Sequence, residues 1–273
     1  MGRTRNSHRV PALLEHLPPT PPEPVQPPER EQLQRLRRRA RERGVNPLFY
    51  RLVRLILVPC FRIYLRLECA GSDHLPRSGP LLLAANHRSF LDPFVIGATV
   101  RRPVYYMAKR ELFASPLQAW LLNALGAFPV DRGAGDEQAL ATARAILARG
   151  DCVVIFPEGT RVRRGPLGAP RRGVGRLALE TGSPVVPVAV IGTAEVRRGW
   201  RVRPRKVRLR CGAPLSFPTV ERPSPALAAA VTERLWARID LQWEWLGGEP
   251  RSPCSEAARG HDVHSRGGRA HAA

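Results

Sequence analysis

The chain has 273 residues, with 44 Lys+Arg against 23 Asp+Glu and a formal net charge of +21. A hydrophobic share of 43% excludes wholesale disorder, and no uncharged apolar run reaches the roughly 18 residues that a membrane-spanning helix needs. The charge calls for a polyanionic partner: nucleic acid, an anionic lipid surface or a phosphorylated substrate.

In chain order, residues 1–44 are a Pro- and Arg-rich tail expected to be disordered. Within it, 11–28 (PALLEHLPPTPPEPVQPP) favours extended chain and 30–43 (REQLQRLRRRARER) reads as a basic helix with almost no apolar face. The basic start lacks the apolar core of a secretory signal, so a reducing cytosolic setting is expected. Five widely spaced cysteines without a C-x-x-C pair give neither a disulfide framework nor a zinc site.

Residues 45–68 differ. The stretch PLFYRLVRLILVPCFRIYLRLE is mostly apolar, with Arg51, Arg54, Arg62 and Arg66 recurring along it. That is the pattern of a helical segment lying in a bilayer interface, its arginines snorkelling to headgroup phosphates. Pro59 is expected to kink it or divide it into two helices. A core helix has similar composition, but the adjacent basic run favours the interface.

Residues 69–246 alternate between strand and helix patterns. Apolar runs at 81–85, 104–107, 152–156, 185–191 and 207–211 predict strands. The segments 90–99, 116–125, 136–149, 173–180 and 225–246 predict helices. This spacing implies one α/β domain with a mostly parallel or mixed central sheet flanked by helices. Residues 247–273 form a second tail expected to be disordered.

Asn86-His87-Arg88-Ser89-Phe90-Leu91-Asp92-Pro93 directly follows the first apolar strand, where open α/β sheets place their sites. Ser89 is the expected N-cap of the next helix, and Asp92 in its first turn can fold its carboxylate back to the His87 ring. A carboxylate there fixes the imidazole tautomer and raises the basicity of the other nitrogen. S-x-x-D is equally an ordinary capping pattern. Phe156-Pro157-Glu158-Gly159-Thr160-Arg161 follows another strand. Gly159 permits close backbone approach, and Thr160 and Arg161 can donate to an anion. Arg161, Arg163, Arg164, Arg171, Arg172 and Arg176 succeed one another with no acidic residue between them. Val185-Val186-Pro187-Val188-Ala189, an apolar strand broken by proline, says little alone.

Together, in this order and at these separations, N-H-x4-D, F-P-E-G-T-R and V-P-V resemble the glycerolipid acyltransferase family, above all its lysophosphatidic acid acyltransferases, over residues 67–212. Lys109-Arg110-Glu111-Leu112 followed by Gly126-Ala127-Phe128-Pro129-Val130-Asp131-Arg132 is similar to the family's acceptor-binding block. The resemblance implies that His87 is the general base and Asp92 its orienting carboxylate. It implies that Arg132, Glu158, Gly159, Thr160 and Arg161 bind the acceptor. It further implies a lysophospholipid acceptor, lysophosphatidate becoming phosphatidate in phospholipid biosynthesis. The acyl thioester of CoA or of acyl carrier protein is then the co-substrate, with no cofactor or metal. Peripheral attachment to the cytoplasmic face of the cell membrane is expected, because a lipid acceptor must be met at the bilayer surface and residues 45–68, with the basic run before them, are the segment equipped to lie there. Backbone N–H groups near the start of the helix after His87 are expected to serve the developing oxyanion. Ser89 lacks the strand-to-helix elbow of a covalent nucleophile.

The stretch VRRGPLGAPRRG is richer in Arg and Pro than the family pattern, and the two tails lie outside the resemblance. Three other readings stand beside this one. A different lysolipid can be the acceptor. A nucleic-acid-binding protein fits the net charge, but aromatics are only 6% of the chain and no binding module appears. A membrane scaffold without activity would be expected to lack His87 or Asp92, and both are present.

Overall fold

The computed structural model describes residues 27–131, 136–198 and 201–250. Its strands are β1 (Glu68–Ala70), β2 (Leu81–Ala85), β3 (Val104–Lys109), β4 (Ala127–Val130), β5 (Cys152–Ile155), β6 (Val185–Ile191), the short pair β7 (Arg197–Arg198) and β8 (Arg201–Val202), and β9 (Arg208–Cys211). All but β7 and β8 join one sheet in the order β1-β9-β6-β2-β5-β3-β4. The five strands from β6 to β4 run parallel, and β9 turns the edge antiparallel to β6. The inner strands are unbroken apolar runs because helices cover both faces of the sheet.

Those helices are α1 (Pro27–Glu42), α2 (Pro47–Tyr64), α3 (Asp92–Thr99), α4 (Pro116–Ala124), α5 (Glu137–Ala148), α6 (Gly173–Thr181) and α7 (Pro225–Trp245). Strand alternation sorts the core into two layers. Leu81, Leu83 and Ala85 pack with Phe61 of α2 and with Val95 and Ile96 of α3. Leu82 and Ala84 face the other way, into a cluster with Ile146 of α5, Leu177 of α6 and Trp236 of α7.

Two expectations about the N-terminal segments fail. From Pro27 onward the supposed tail is ordered: α1 buries Leu33, Arg37 and Ala40. Arg37 pairs with Asp136 and Gln138, and its Nε donates to the Pro129 carbonyl at 3.1 Å. The buried stripe contains a charged residue whose partner lies 99 positions away, so apolar periodicity did not reveal it. Residues 1–26 and 251–273, the remainder of both expected tails, lie outside the described residues. Secondly, of the two outcomes expected at Pro59, division into two helices does not occur. α2 runs unbroken over 18 residues, and the sharp bend, 89°, comes before it, where α1 ends.

The sequence also omitted β1 and β4. β4 has four residues and contains Pro129, which an edge strand tolerates because its outer side needs no ladder donor. Pro187 stands in an interior strand, in register with Ala84 of β2, and its carbonyl accepts the Gly212 N–H at 2.8 Å on the β9 side.

Candidate active site

β2 ends at Ala85, and the next residue fixes the chain's exit. The Asn86 side chain donates to the Val190 carbonyl at 3.0 Å and accepts from the Val190 N–H at 2.7 Å, tying this end of β2 to β6. His87 follows, buried at 5% exposure, with its ring stacked on Phe156 at 4.1 Å between centroids.

His87 Nδ1 lies 2.8 Å from Asp92 Oδ2. An ionised carboxylate only accepts, so Nδ1 carries the hydrogen and Nε2 is the nitrogen open to a proton. The same Oδ2 accepts the N–H groups of Arg88 and Ser89, both at 2.7 Å, and Thr193 Oγ1 donates to Oδ1 at 2.5 Å. Asp92 is wholly buried and all its acceptor positions point at named donors. The expected capping geometry is therefore inverted. Asp92 gathers the turn that precedes α3, while the Ser89 hydroxyl accepts from Leu91 N–H at 3.3 Å. This uses the backbone donors expected to serve an oxyanion: those of Arg88 and Ser89 belong to Asp92, and that of His87 to Glu158.

Glu158 was expected to touch the acceptor, but its carboxylate turns inward at 3% exposure. It accepts His87 N–H at 2.6 Å and Gly168 N–H at 2.9 Å. Burial raises its pKa above the usual carboxylate range, opposed by those two amides and by the Arg88 guanidinium. Glu158 thus positions the histidine and the following loop. That loop is held again from the other side. Val162 donates its N–H to the His87 carbonyl at 2.9 Å, and the buried Arg88 donates to the carbonyls of Val162 at 2.8 Å and Gly165 at 2.6 Å. The resemblance gave Arg88 no role, and residue type alone did not mark it as buried.

Gly159 has φ +68°, which favours glycine, and a Cβ there would come within 2.8 Å of Arg171 Nε, so the arginine side chain would have to shift. Thr160 and Arg161 are exposed, and Arg161 lines the same cavity as His87. Arg132 lies outside the described residues.

Two cavities meet at the histidine. The first, about 160 Å³, is lined mainly by apolar side chains of α2, α3 and α4, among them Leu57, Phe94 and Leu122. The second, about 660 Å³, lies towards α5 and α6 and carries Arg171, Arg172 and Arg176. A buried, carboxylate-oriented imidazole between a hydrocarbon-lined cavity and a cationic one can take a proton from a hydroxyl held beside it.

A family profile described as Acyltransferase matches residues 66–191. The chain is 32% identical over 172 residues to the 1-acyl-sn-glycerol-3-phosphate acyltransferase of Bacillus subtilis, covering 62% of this chain and 84% of that protein. The chain belongs to the acyltransferase family. It is also 38% identical over 150 residues to the lyso-ornithine lipid O-acyltransferase of Pseudomonas aeruginosa, covering 54% of this acyltransferase and 55% of that one. Its match to a chloroplastic 1-acyl-sn-glycerol-3-phosphate acyltransferase of Brassica napus is 30% identical over 136 residues, 49% of the chain but only 39% of the relative's length. The crystal structure of the 1-acyl-sn-glycerophosphate (LPA) acyltransferase PlsC from Thermotoga maritima superimposes with a TM-score of 0.57 at 25% identity, covering 81% of this chain and 89% of that one.

Proposed function

We propose that this acyltransferase moves a fatty acyl group from an acyl thioester to the free hydroxyl of lysophosphatidate, giving phosphatidate. The observation that carries the reading is the His87–Asp92 pair: His87 lines a cavity that combines a hydrocarbon lining with the cation Arg161, which has no carboxylate partner among the described residues. In the reaction, His87 Nε2 takes the hydroxyl proton as the acceptor oxygen attacks the thioester carbonyl carbon. The C–S bond then breaks, and the imidazolium returns its proton to the departing thiolate. Asp92 holds the ring and stabilises the imidazolium; Arg161 binds the acceptor phosphate. This chemistry needs neither metal nor cofactor beyond the thioester of CoA or acyl carrier protein.

The reading includes peripheral attachment to the cytoplasmic face of the cell membrane. No single described helix is long and apolar enough to cross a bilayer. The outer face of α2 nevertheless presents Leu48, Leu52, Leu55, Ile56 and Ile63 to solvent, Ile63 at 80% exposure. α4 extends that surface: Phe49 meets Trp120 with ring centroids 5.4 Å apart, and Leu117 and Leu121 beside it are exposed. Arg51 and Arg62 flank the α2 stripe at helical spacing, placed for headgroup phosphates. Arg54, expected to join them, turns inward and caps α3 by donating to the carbonyls of Gly97 and Val100.

The test is thiol release by the purified protein from acyl-CoA, or from acyl carrier protein loaded with a fatty acid, dependent on lysophosphatidate and absent in His87→Ala. Turnover by folded His87→Ala at the wild-type rate rules the mechanism out. The similarity to the lyso-ornithine lipid enzyme favours one second reading, an amino-acid-headed lysolipid as acceptor. Running both lysolipids in the same assay decides between them.

A further inference from the structure

The cavity towards α5 and α6 is not used by the acceptor in the mechanism above, yet it shares His87, Met107 and Phe156 with the apolar cavity. Its acidic residues are engaged: Asp136 with Arg37, and Asp131 with Arg110 at 3.4 Å. Of its three arginines, Arg176 is held by Glu137 at 2.7 Å and Glu180 at 2.7 Å. Arg171 and Arg172 form no ion pair with any carboxylate among the described residues. Arg171 is anchored through its backbone. Its backbone N–H donates to the Pro157 carbonyl at 2.7 Å, and its side chain lies over Gly159 in space that any Cβ would fill. Arg172 stands beside it as the N-cap residue of α6. Two adjacent unmatched guanidiniums, on a cavity wall continuous with the general base, form a receptor for a phosphate.

We propose that this chamber binds the phosphate of the acyl donor, the phosphopantetheine ester that CoA and acyl carrier protein have in common. The inference rests on the acyl-transfer reading but on neither candidate acceptor lipid. Geometry separates the substrates. Arg161 lines the cavity bounded by α2 and α4, whose outer faces are apolar and exposed, the side from which a lipid arrives. Arg171 and Arg172 line a chamber bounded by α5 and α6, whose buried residues pack on the opposite face of the sheet from α2 and α3. A water-soluble thioester entering there places its phosphate on the arginines and its carbonyl beside His87. Its hydrocarbon chain passes Met107 and Phe156 into the apolar cavity.

The experiment titrates full-length protein with CoA, and separately with phosphopantetheinylated acyl carrier protein, by calorimetry, and measures both substrates' KM values. The double variant Arg171→Gln/Arg172→Gln is expected to weaken carrier binding and raise donor KM by about 10- to 100-fold, leaving acceptor KM within about twofold. Arg171→Lys/Arg172→Lys should recover part of the loss, because charge remains but the fork is gone. Arg161→Ala should show the opposite split. Binding of either carrier that depends on the two arginines supports the proposal. Failure of wild type to bind both carriers, unchanged binding in the double variant, or a rise in acceptor KM instead, overturns it. A wild-type protein that binds a carrier through these arginines but transfers no acyl group would sink the catalytic reading and leave the chamber standing.

Discussion

The guanidinium of Arg88 lies 4.3 Å above the indole of Trp243, so α7 bears on the turn next to the candidate base. Arg88 carries that contact onward through its bonds to the carbonyls of Val162 and Gly165. The loop that presents Arg161 is therefore braced by a residue more than 150 positions from N-H-x4-D. Burial lowers the Arg88 pKa, with Glu158 and Asp92 opposing the shift, so the cation is kept by its neighbours rather than by solvent.

Arg88→Lys keeps the charge but cannot serve two carbonyls and stack on Trp243 at once. Loss of a charged hydrogen bond is worth about 1.5–3 kcal/mol, so acceptor KM should rise by roughly tenfold or more. Donor KM should stay near wild type. A fall in kcat alone, with both KM values unchanged, would show that the brace serves His87 instead of the loop.

Asp92→Asn is expected to lower kcat by about 10²- to 10⁴-fold, the usual span of a general-base contribution. One amide oxygen cannot replace a carboxylate that receives the His87 ring, Arg88 N–H, Ser89 N–H and the Thr193 hydroxyl. The accompanying loss of thermal stability, read by calorimetry, should be partial. Thr193→Val removes only the Oδ1 donor and should lower kcat much less.

Glu158 gives a pH signature. Its pKa is raised in the folded protein, so the stability its neutral form contributes is complete below the unfolded value of about 4.3 and fades as pH rises through the folded value. Glu158→Gln removes that titration and sets an NH2 against an N–H donor, at a cost of about 1–3 kcal/mol. Thermal melts from pH 4 to 8 should show wild type ahead of the variant at the acid end and the gap narrowing upward. A gap that widens with pH would mean that the carboxylate is favoured by folding.

Cys60 reports the membrane face. It is exposed on α2, one helical turn from Ile56 and next to Ile63 on the helix surface. In a Cys69→Ser/Cys254→Ser background, maleimide should label Cys60 readily in free protein and at least fivefold more slowly on anionic vesicles. Cys152 should stay unlabelled in both states, since it is fully buried and burial pushes its thiol pKa up to about 12. Equal Cys60 rates with and without vesicles would remove α2 from the interface.

What the sequence disclosed was local. His87, Asp92 and the E-G-T-R run stand within a few residues of strand ends, so order and spacing sufficed to bring them together. The inward turn of Glu158 depended on the Gly168 N–H, ten residues ahead, and nothing in residue type announced it. Arg54 was readable in principle, since it stands four positions from the buried Tyr50 and seven from the buried Phe61, but composition alone grouped it with Arg51 and Arg62. α1 was the hardest case, because its buried face is recognised only when residues 129–138 are already in place.

That dependence sets an order of events during synthesis. α1 leaves the ribosome before the sheet, yet Arg37 waits for partners 92 to 101 residues later, at Pro129, Asp136 and Gln138. Arg149 must arrive before it can donate to the Ala40 and Arg41 carbonyls. Closing so long a loop has no compensating contact until the β3–β4 edge has formed. A nascent chain therefore carries an unseated arginine-rich segment while about a hundred further residues are made. The finished fold claims Arg37 for its interior only after that interval.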